Sequence, residues 1–174
     1  DYRRFRWGKN LELFILDGRS FRSPKVTAAC DGDIAPTAPP AVRQAFAPLS
    51  PALAKPVPQA CLDAIASPSR TLLGAAQLAA FTKAIRSSKA TFKVVVNPEP
   101  LMQLYALPYD RWEGYAAERA RVLAVLRQVK NVVVMNDEGT WLLPRPQDLA
   151  PASVPELIAL AKEHRLVEIY QRTR

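Results

Sequence analysis

Apolar positions along the chain alternate between two spacings, and the alternation predicts the order of its elements. A compact apolar run, Leu11-Glu-Leu-Phe-Ile-Leu16, reads as a strand buried on both faces. Residues 69–90 read as a helix capped by Ser69 or Thr71. Leu78, Phe81 and Ile85 lie on one of its faces, and Ser87-Ser-Lys89 ends it. A β-branched run, Thr91-Phe-Lys-Val-Val-Val96, follows as a strand, then a long loop from Asn97 to Tyr115. The next helix, Ala116 to Gln128, carries Val122, Leu123, Leu126 and Val129 on one side. Glu118, Arg121 and Arg127 are expected toward water, with Glu118 and Arg121 as an i,i+3 pair. Asn131 to Met135 closes the unit as a second β-branched strand.

Strand, helix and strand in this order form a βαβ unit, which requires parallel strands in one sheet. The expected fold is therefore α/β. In such sheets ligands bind beyond the carboxyl ends of the strands. The segments leaving those ends are Asp17 to Arg22, Asn97 to Gln103 and Asn136 to Gly139, with Asp110 to Tyr115 nearby in the long loop.

Residues 23–69 are of another kind. Prolines recur at 24, 36, 39, 40, 48, 51, 56, 58 and 68, a density that forbids long helices and central strands. Short helices are expected from Pro40 to Phe46 and from Gln59 to Ile65. Leu49, Leu53, Val57, Leu62 and Ile65 give the segment something to bury, which favours an ordered insertion over a disordered linker. Cys30 and Cys61 bracket much of it. They form either a structural disulfide of the secreted type or two unrelated thiols. A metal site built on them is disfavoured, since there is no CxxC spacing and the only histidine is His164.

After Met135 the pattern loosens. Trp141 to Leu143 reads as a short strand, Ser153-Val-Pro-Glu156 as a capping-box start to a helix ending near His164, and Val167 to Tyr170 as a last strand.

Charge changes this picture little. The net charge of +8 favours anionic partners, but its clusters lie at the chain ends and after the first strand, with no aromatic-interleaved basic stripe. Neither nucleic acid nor membrane is an expected partner. Asp17 and Arg19 admit two readings. Arg19 clamps a phosphate at the sheet's carboxyl edge through its planar guanidinium, or the two residues pin the turn as an ion pair. The chain opens on Asp1-Tyr-Arg-Arg4 without methionine, which reads as the interior of a longer protein.

Three segments together resemble the PhoD-like alkaline phosphatase/phosphodiesterase family. The first is Phe5-Arg-Trp-Gly8 followed by Leu11-Glu-Leu-Phe-Ile-Leu-Asp-Gly-Arg-Ser-Phe-Arg22, similar to a Trp-Gly, strand, Leu-Asp-x-Arg-x-x-Arg signature. The second is Arg70-Thr-Leu-Leu-Gly-Ala-Ala-Gln-Leu78 with Ala90-Thr-Phe-Lys-Val-Val-Val-Asn97, similar to a Leu-Gly-x-x-Gln helix leading into a Trp/Phe-Lys strand. The third is Asp110-Arg-Trp-Glu-Gly-Tyr115 with Glu118-Arg119, similar to a Trp-x-Gly-Tyr-x-x-x-Arg segment.

The resemblance covers residues 2–135. It implies that residues 1–135 are the C-terminal part of a metallophosphatase domain, a partial sandwich of a mixed sheet with flanking helices and the insertion at 23–69. It also implies hydrolysis of phosphate mono- and diesters with calcium and iron, and export to an extracellular or periplasmic compartment, which fits a Cys30–Cys61 bridge. Asp17 and Arg19 are then expected on the active-site rim. Asp110, Trp112 and Tyr115 are expected to flank the substrate, with a packed loop anchor as the alternative for Trp112 and Tyr115. The departures are as informative. The family's early metal motifs would precede Asp1, and its Asp-x-His after the second strand is replaced by Asn136-Asp-Glu-Gly-Thr140, where Asp137 and Glu138 sit outside the pattern. Residues 136–174 do not match and form a divergent segment. The expectation is a fragment of a secreted phosphatase, inactive by itself and without tight metal binding. The alternative is a catalytically dead remnant or an anion-binding domain on the same frame.

Overall fold

The computed structural model describes residues 2–102, 105, 111–136 and 141–142. Five strands form one sheet in sequence order: β1 (Arg3–Trp7), β2 (Leu11–Ile15), β3 (Phe92–Asn97), β4 (Val132–Asn136) and β5 (Trp141–Leu142). The central pairs β2/β3 and β3/β4 are parallel, and the outer pairs β1/β2 and β4/β5 are antiparallel. The α/β wiring expected from the β-branched runs is present, with an antiparallel strand added on each side.

Two helices cover one face of the sheet. They are α3 (Ala75–Ser87) and α4 (Ala116–Arg127), preceded in the chain by α1 (Pro40–Phe46) and α2 (Gln59–Ala66). Phe14, Val95, Val132 and Val134 meet Phe81 and Ile85 of α3 and Val122, Val125 and Leu126 of α4 in the main core. Phe14 and Phe81 stack edge to face with centroids 6.0 Å apart. Burying side chains of this size contributes about 1.5–3 kcal/mol each, which makes this layer the main source of stability.

The other face is different. Leu11, Leu13 and Ile15 of β2 are only half-buried, and so are Val94, Val96, Val133 and Met135. The expectation that β2 is buried on both faces is therefore corrected. Its apolar run is continuous because an open apolar face alternates with a covered one. On the covered face Glu12 breaks the run. It is 1% exposed, and Arg4 and Ser88 donate to its carboxylate while Arg6 lies 3.6 Å away. Burial pushes that carboxyl up, but these donors outweigh it and the net direction is down. Strand β1 supplies both arginines. Its own residues are all exposed, as an edge strand allows.

The first long helix also departs from expectation. It starts at Ala75, not at Ser69 or Thr71, because residues 71–73 are held out of helical geometry by α4. Glu118 accepts from Leu72 N, from Leu73 N at 3.1 Å and from Thr71 Oγ1 at 2.6 Å. Gly74, at φ 80°, turns the chain into the helix, a conformation that suits glycine. Glu118 is thus buried and engaged across the fold, correcting its placement toward water. Arg121 bonds to Ala117 O and Pro68 O, with no ion pair to Glu118.

The insertion is ordered. Both short helices form where expected, and Cys30 and Cys61 are joined as a disulfide with Cα atoms 4.6 Å apart. Val26, Cys30, Cys61 and Ile65 make one small core, and Ala35, Ala38 and Leu53 another. Arg43, buried on α1, pairs with Asp33 at 2.7 Å and donates to the carbonyls of Ala35 and Lys55, so its charge is fully engaged. Leu49, expected to be buried, is 81% exposed. It lies in the turn between α1 and the 3-10 turn Pro51–Ala54.

Trp141–Leu142 forms the expected short strand. The helix expected from Ser153, the strand from Val167, and Asp110, Asp137, Glu138 and His164 lie outside the described residues. No helix among the described residues is long and apolar enough to cross a membrane.

Candidate functional site

The parallel strands β2 and β3 end side by side, and the loops leaving them meet. Leu16 N continues the ladder by donating to Val96 O at 2.9 Å, so the turn that follows is fixed directly against β3. Asp17 then closes that turn. Its Oδ1 accepts from the backbone of Arg19 and Ser20 at 2.9 and 3.0 Å, and its Oδ2 accepts from Ser20 Oγ at 2.5 Å. The hydrogen bonds from Ser20 and Arg19 hold this carboxyl far below the usual carboxylate range, against a small opposing effect of burial. Such a group is anionic at neutral pH and a poor proton acceptor.

The turn is also gripped from below. Gln77 of α3, 6% exposed, accepts from Asp17 N at 2.7 Å and donates to Asp17 O at 2.9 Å and Leu73 O at 2.8 Å. Both backbone groups of Asp17 are thereby set by one side chain 60 residues away. Gly18 packs so closely on the next loop that a Cβ there would come 2.9 Å from Pro98 Cγ. Gln77 lies in the Leu-Gly-x-x-Gln motif, but a two-sided grip on a distant backbone leaves no local signal in the sequence.

Arg19 projects outward. Its side chain is 69% exposed, and Nη2 lies 3.9 Å from Glu99 Oε1 on the loop leaving β3. The ion pair expected between Asp17 and Arg19 is thus replaced by a different arrangement: Asp17 binds the Arg19 backbone, and the guanidinium faces Glu99 and solvent. At that distance, with one partner largely in water, the pair contributes little to stability.

Trp112 and Tyr115 lie beneath this edge, in a short 3-10 turn, Trp112–Tyr115, that leads into α4. They are 0% and 1% exposed. Trp112 Nε1 donates to Asn97 Oδ1 at 3.1 Å, and Asn97 Nδ2 donates to Glu99 O. Tyr115 OH donates to Ser23 O at 2.8 Å, and the Arg70 guanidinium lies 4.7 Å from its ring centroid. Arg70 also donates to Gly114 O and Pro24 O. The structure therefore brings Asp17, the exposed Arg19 and the largely buried Glu99 together at the sheet edge, with Trp112, Tyr115 and Asn97 as the packed layer under them.

A calcium site takes six to eight oxygen ligands, and iron sites likewise draw on several His, Cys or carboxylate groups. Among the described residues no three His, Cys, Asp or Glu side chains come together in that way. Both Asp17 carboxylate oxygens accept hydrogen bonds within its own turn. These residues do not form a donor set for the calcium and iron that the resemblance implies. The edge offers an oriented guanidinium and a rigid turn, which suits binding an anion.

The fold is similar to that of a solved structure described as "Structure of PhoD", with a TM-score of 0.56 at 23% sequence identity. The similarity covers 78% of this chain and 22% of that one, so this chain spans about a fifth of the length of its structural relative. At that identity the likeness concerns the fold. No curated protein matches the chain at a significant level. A family model described as PhoD-like phosphatase matches residues 1–138, most of the 174. The chain belongs to the PhoD-like phosphatase family.

Proposed function

We propose that this chain forms part of a PhoD-like phosphatase that hydrolyses phosphate mono- or diesters, with the turn from Asp17 to Arg22 on the rim of the active site. The observation that carries this reading is the exposed Arg19 guanidinium, held at the carboxyl edge of β2 by a turn that Asp17 and Gln77 fix on both sides. A planar guanidinium matches two oxygens of a phosphoryl group and neutralises their charge. A turn fixed in advance places it without an ordering cost at binding. Asp17 acts on the turn rather than on the substrate, and Trp112 and Tyr115 act as anchors beneath the rim. Asp110, two positions before Trp112 in the sequence, is proposed as a substrate-binding residue.

The calcium and iron of the activity are held by residues other than those described here. The chain is accordingly inactive by itself. Export to an extracellular or periplasmic compartment is supported by the Cys30–Cys61 bridge, which persists where conditions are oxidising.

A titration with inorganic phosphate, followed through the backbone amide of Ser20 and the Nε–H of Arg19 by NMR, tests the rim assignment. Saturable shifts that vanish in Arg19→Ala are expected, and no response in the wild-type chain contradicts the assignment. The second reading, a catalytically dead remnant or anion-binding domain, is favoured by the scattered acids. Turnover by a longer protein that contains this chain separates the two: metal-dependent phosphate-ester hydrolysis that falls in Arg19→Ala supports the rim, and phosphate binding without turnover supports the remnant.

A further inference from the structure

The loop leaving β3 reads Asn97-Pro-Glu-Pro100. A proline on each side restricts the backbone around Glu99 and disfavours a helical conformation there. Side chains fix the loop further. Trp112 Nε1 holds Asn97 at 3.1 Å, and Asn97 Nδ2 in turn donates to Glu99 O. Gly18, without a Cβ, lets the turn after β2 close onto Pro98, so this loop and the Arg19 turn pack into one edge. Glu99 is 9% exposed, and its Oε1 lies 3.9 Å from Nη2 of the outward-facing Arg19. At that distance, with Arg19 largely in water, the pair adds little stability. What the carboxylate does supply is a fixed negative charge beside the guanidinium that meets the ligand.

We propose that Glu99 is a specificity-determining residue, which weights the rim toward singly charged phosphodiesters and against doubly charged monoesters. The inference rests on the rim reading above and names which of its two ester classes this edge favours. A phosphoryl group held by Arg19 lies within a few ångströms of Glu99, because the two side chains are already that close. A monoester carries close to two negative charges at neutral pH, whereas a diester, with no second ionisation, carries one. A guanidinium by itself favours the monoester, since the second charge adds attraction. Glu99 opposes that added charge. In bulk water the repulsion of two unit charges about 4 Å apart already amounts to about fivefold in affinity, and the low exposure of Glu99 strengthens it. Asp17, whose carboxylate closes the same turn, acts in the same direction.

Titration of the 174-residue chain with dimethyl phosphate and with methyl phosphate, followed through the Arg19 Cζ shift by NMR, tests the proposal. At about pH 7.5 methyl phosphate is almost entirely doubly charged. The readout is the ratio of the two dissociation constants in wild type and in Glu99→Gln, which keeps the shape of the side chain and removes its charge. The variant is expected to shift that ratio toward methyl phosphate by about fivefold. Equal ratios in the two proteins, with both esters bound, overturn the role of Glu99 and leave the rim reading standing. A parallel loss of affinity for both esters is such a case, and confines Glu99 to the packing of its loop. No response of Arg19 to either ester in the wild type overturns the rim reading and this inference with it. If the variant loses the amide spectrum of a folded chain, the wild-type ratio is compared with that of methylguanidinium measured alongside. A wild-type ratio no further toward the diester than that of methylguanidinium overturns the proposal.

Discussion

Trp112 Nε1 donates to Asn97 Oδ1 across 3.1 Å, and both residues are 0% exposed. The bond ties the last residue of β3 to the turn that starts α4, so the loop between them is closed from inside. Removing only the donor tests it. Trp112→Phe keeps most of the ring volume but leaves a buried amide oxygen unpaired, which costs about 1–3 kcal/mol. Trp112→Ala adds a cavity and is expected to cost about 3–5 kcal/mol. Denaturant unfolding of the two variants checks the order. A Phe variant as stable as wild type would mean that the hydrogen bond contributes nothing.

Glu118 holds residues 71–73 by three hydrogen bonds to one buried carboxylate. Glu118→Leu strands two backbone N–H groups and is expected to destabilise by about 3 kcal/mol or more, since each lost bond to a charged group costs about 1.5–3 kcal/mol. Glu118→Gln keeps one acceptor and should cost clearly less. Thermal unfolding monitored by circular dichroism separates them, and a Leu variant as stable as wild type would remove the clamp from the account.

The Cys30–Cys61 bridge spans 31 positions of the insertion. Its reduction is expected to lower unfolding free energy by about 3–4 kcal/mol in the chain-entropy picture. Denaturation with and without reductant measures it. Because the bridge closes the insertion and not the sheet, the phosphate response at Arg19 should survive reduction. Its loss would couple the two regions.

Asp17 gives the turn a pH signature. Its folded carboxyl lies below the ordinary value of 3.8 because Ser20 and Arg19 donate to the ionised form. The stabilisation is therefore fully present above that value and is lost as pH falls through it toward the folded one. Acid unfolding of wild type should be steeper below about pH 4 than that of Asp17→Asn, which has no charge to lose. Glu12, also shifted down, titrates in both proteins, so the difference between the curves reports Asp17. Superimposable curves would contradict the assignment.

The frame was legible because it rests on local patterns. The strands at 91–96 and 131–135 appear in the chain as continuous β-branched runs and the apolar faces of α3 and α4 as a period of three to four, and the short proline-led helices of the insertion follow from where proline is tolerated. What escaped was set by contacts between distant residues. Glu118 looked like a surface partner of Arg121 because i,i+3 spacing is visible and a loop of backbone N–H donors 46 residues back is not. The start of α3 was misplaced for the same reason. In the site, Asp17 and Arg19 were found by their position after a strand, while the roles of Gln77, Asn97 and Glu99 depend on which loops meet at the sheet edge.

The central claim is that this chain carries the rim and frame of a PhoD-like phosphatase without completing its metal centre. The most direct measurement is turnover of p-nitrophenyl phosphate and bis(p-nitrophenyl) phosphate by the purified 174-residue chain, supplied with calcium and iron. The account predicts no hydrolysis above that of the metals alone. Robust metal-dependent turnover would contradict it.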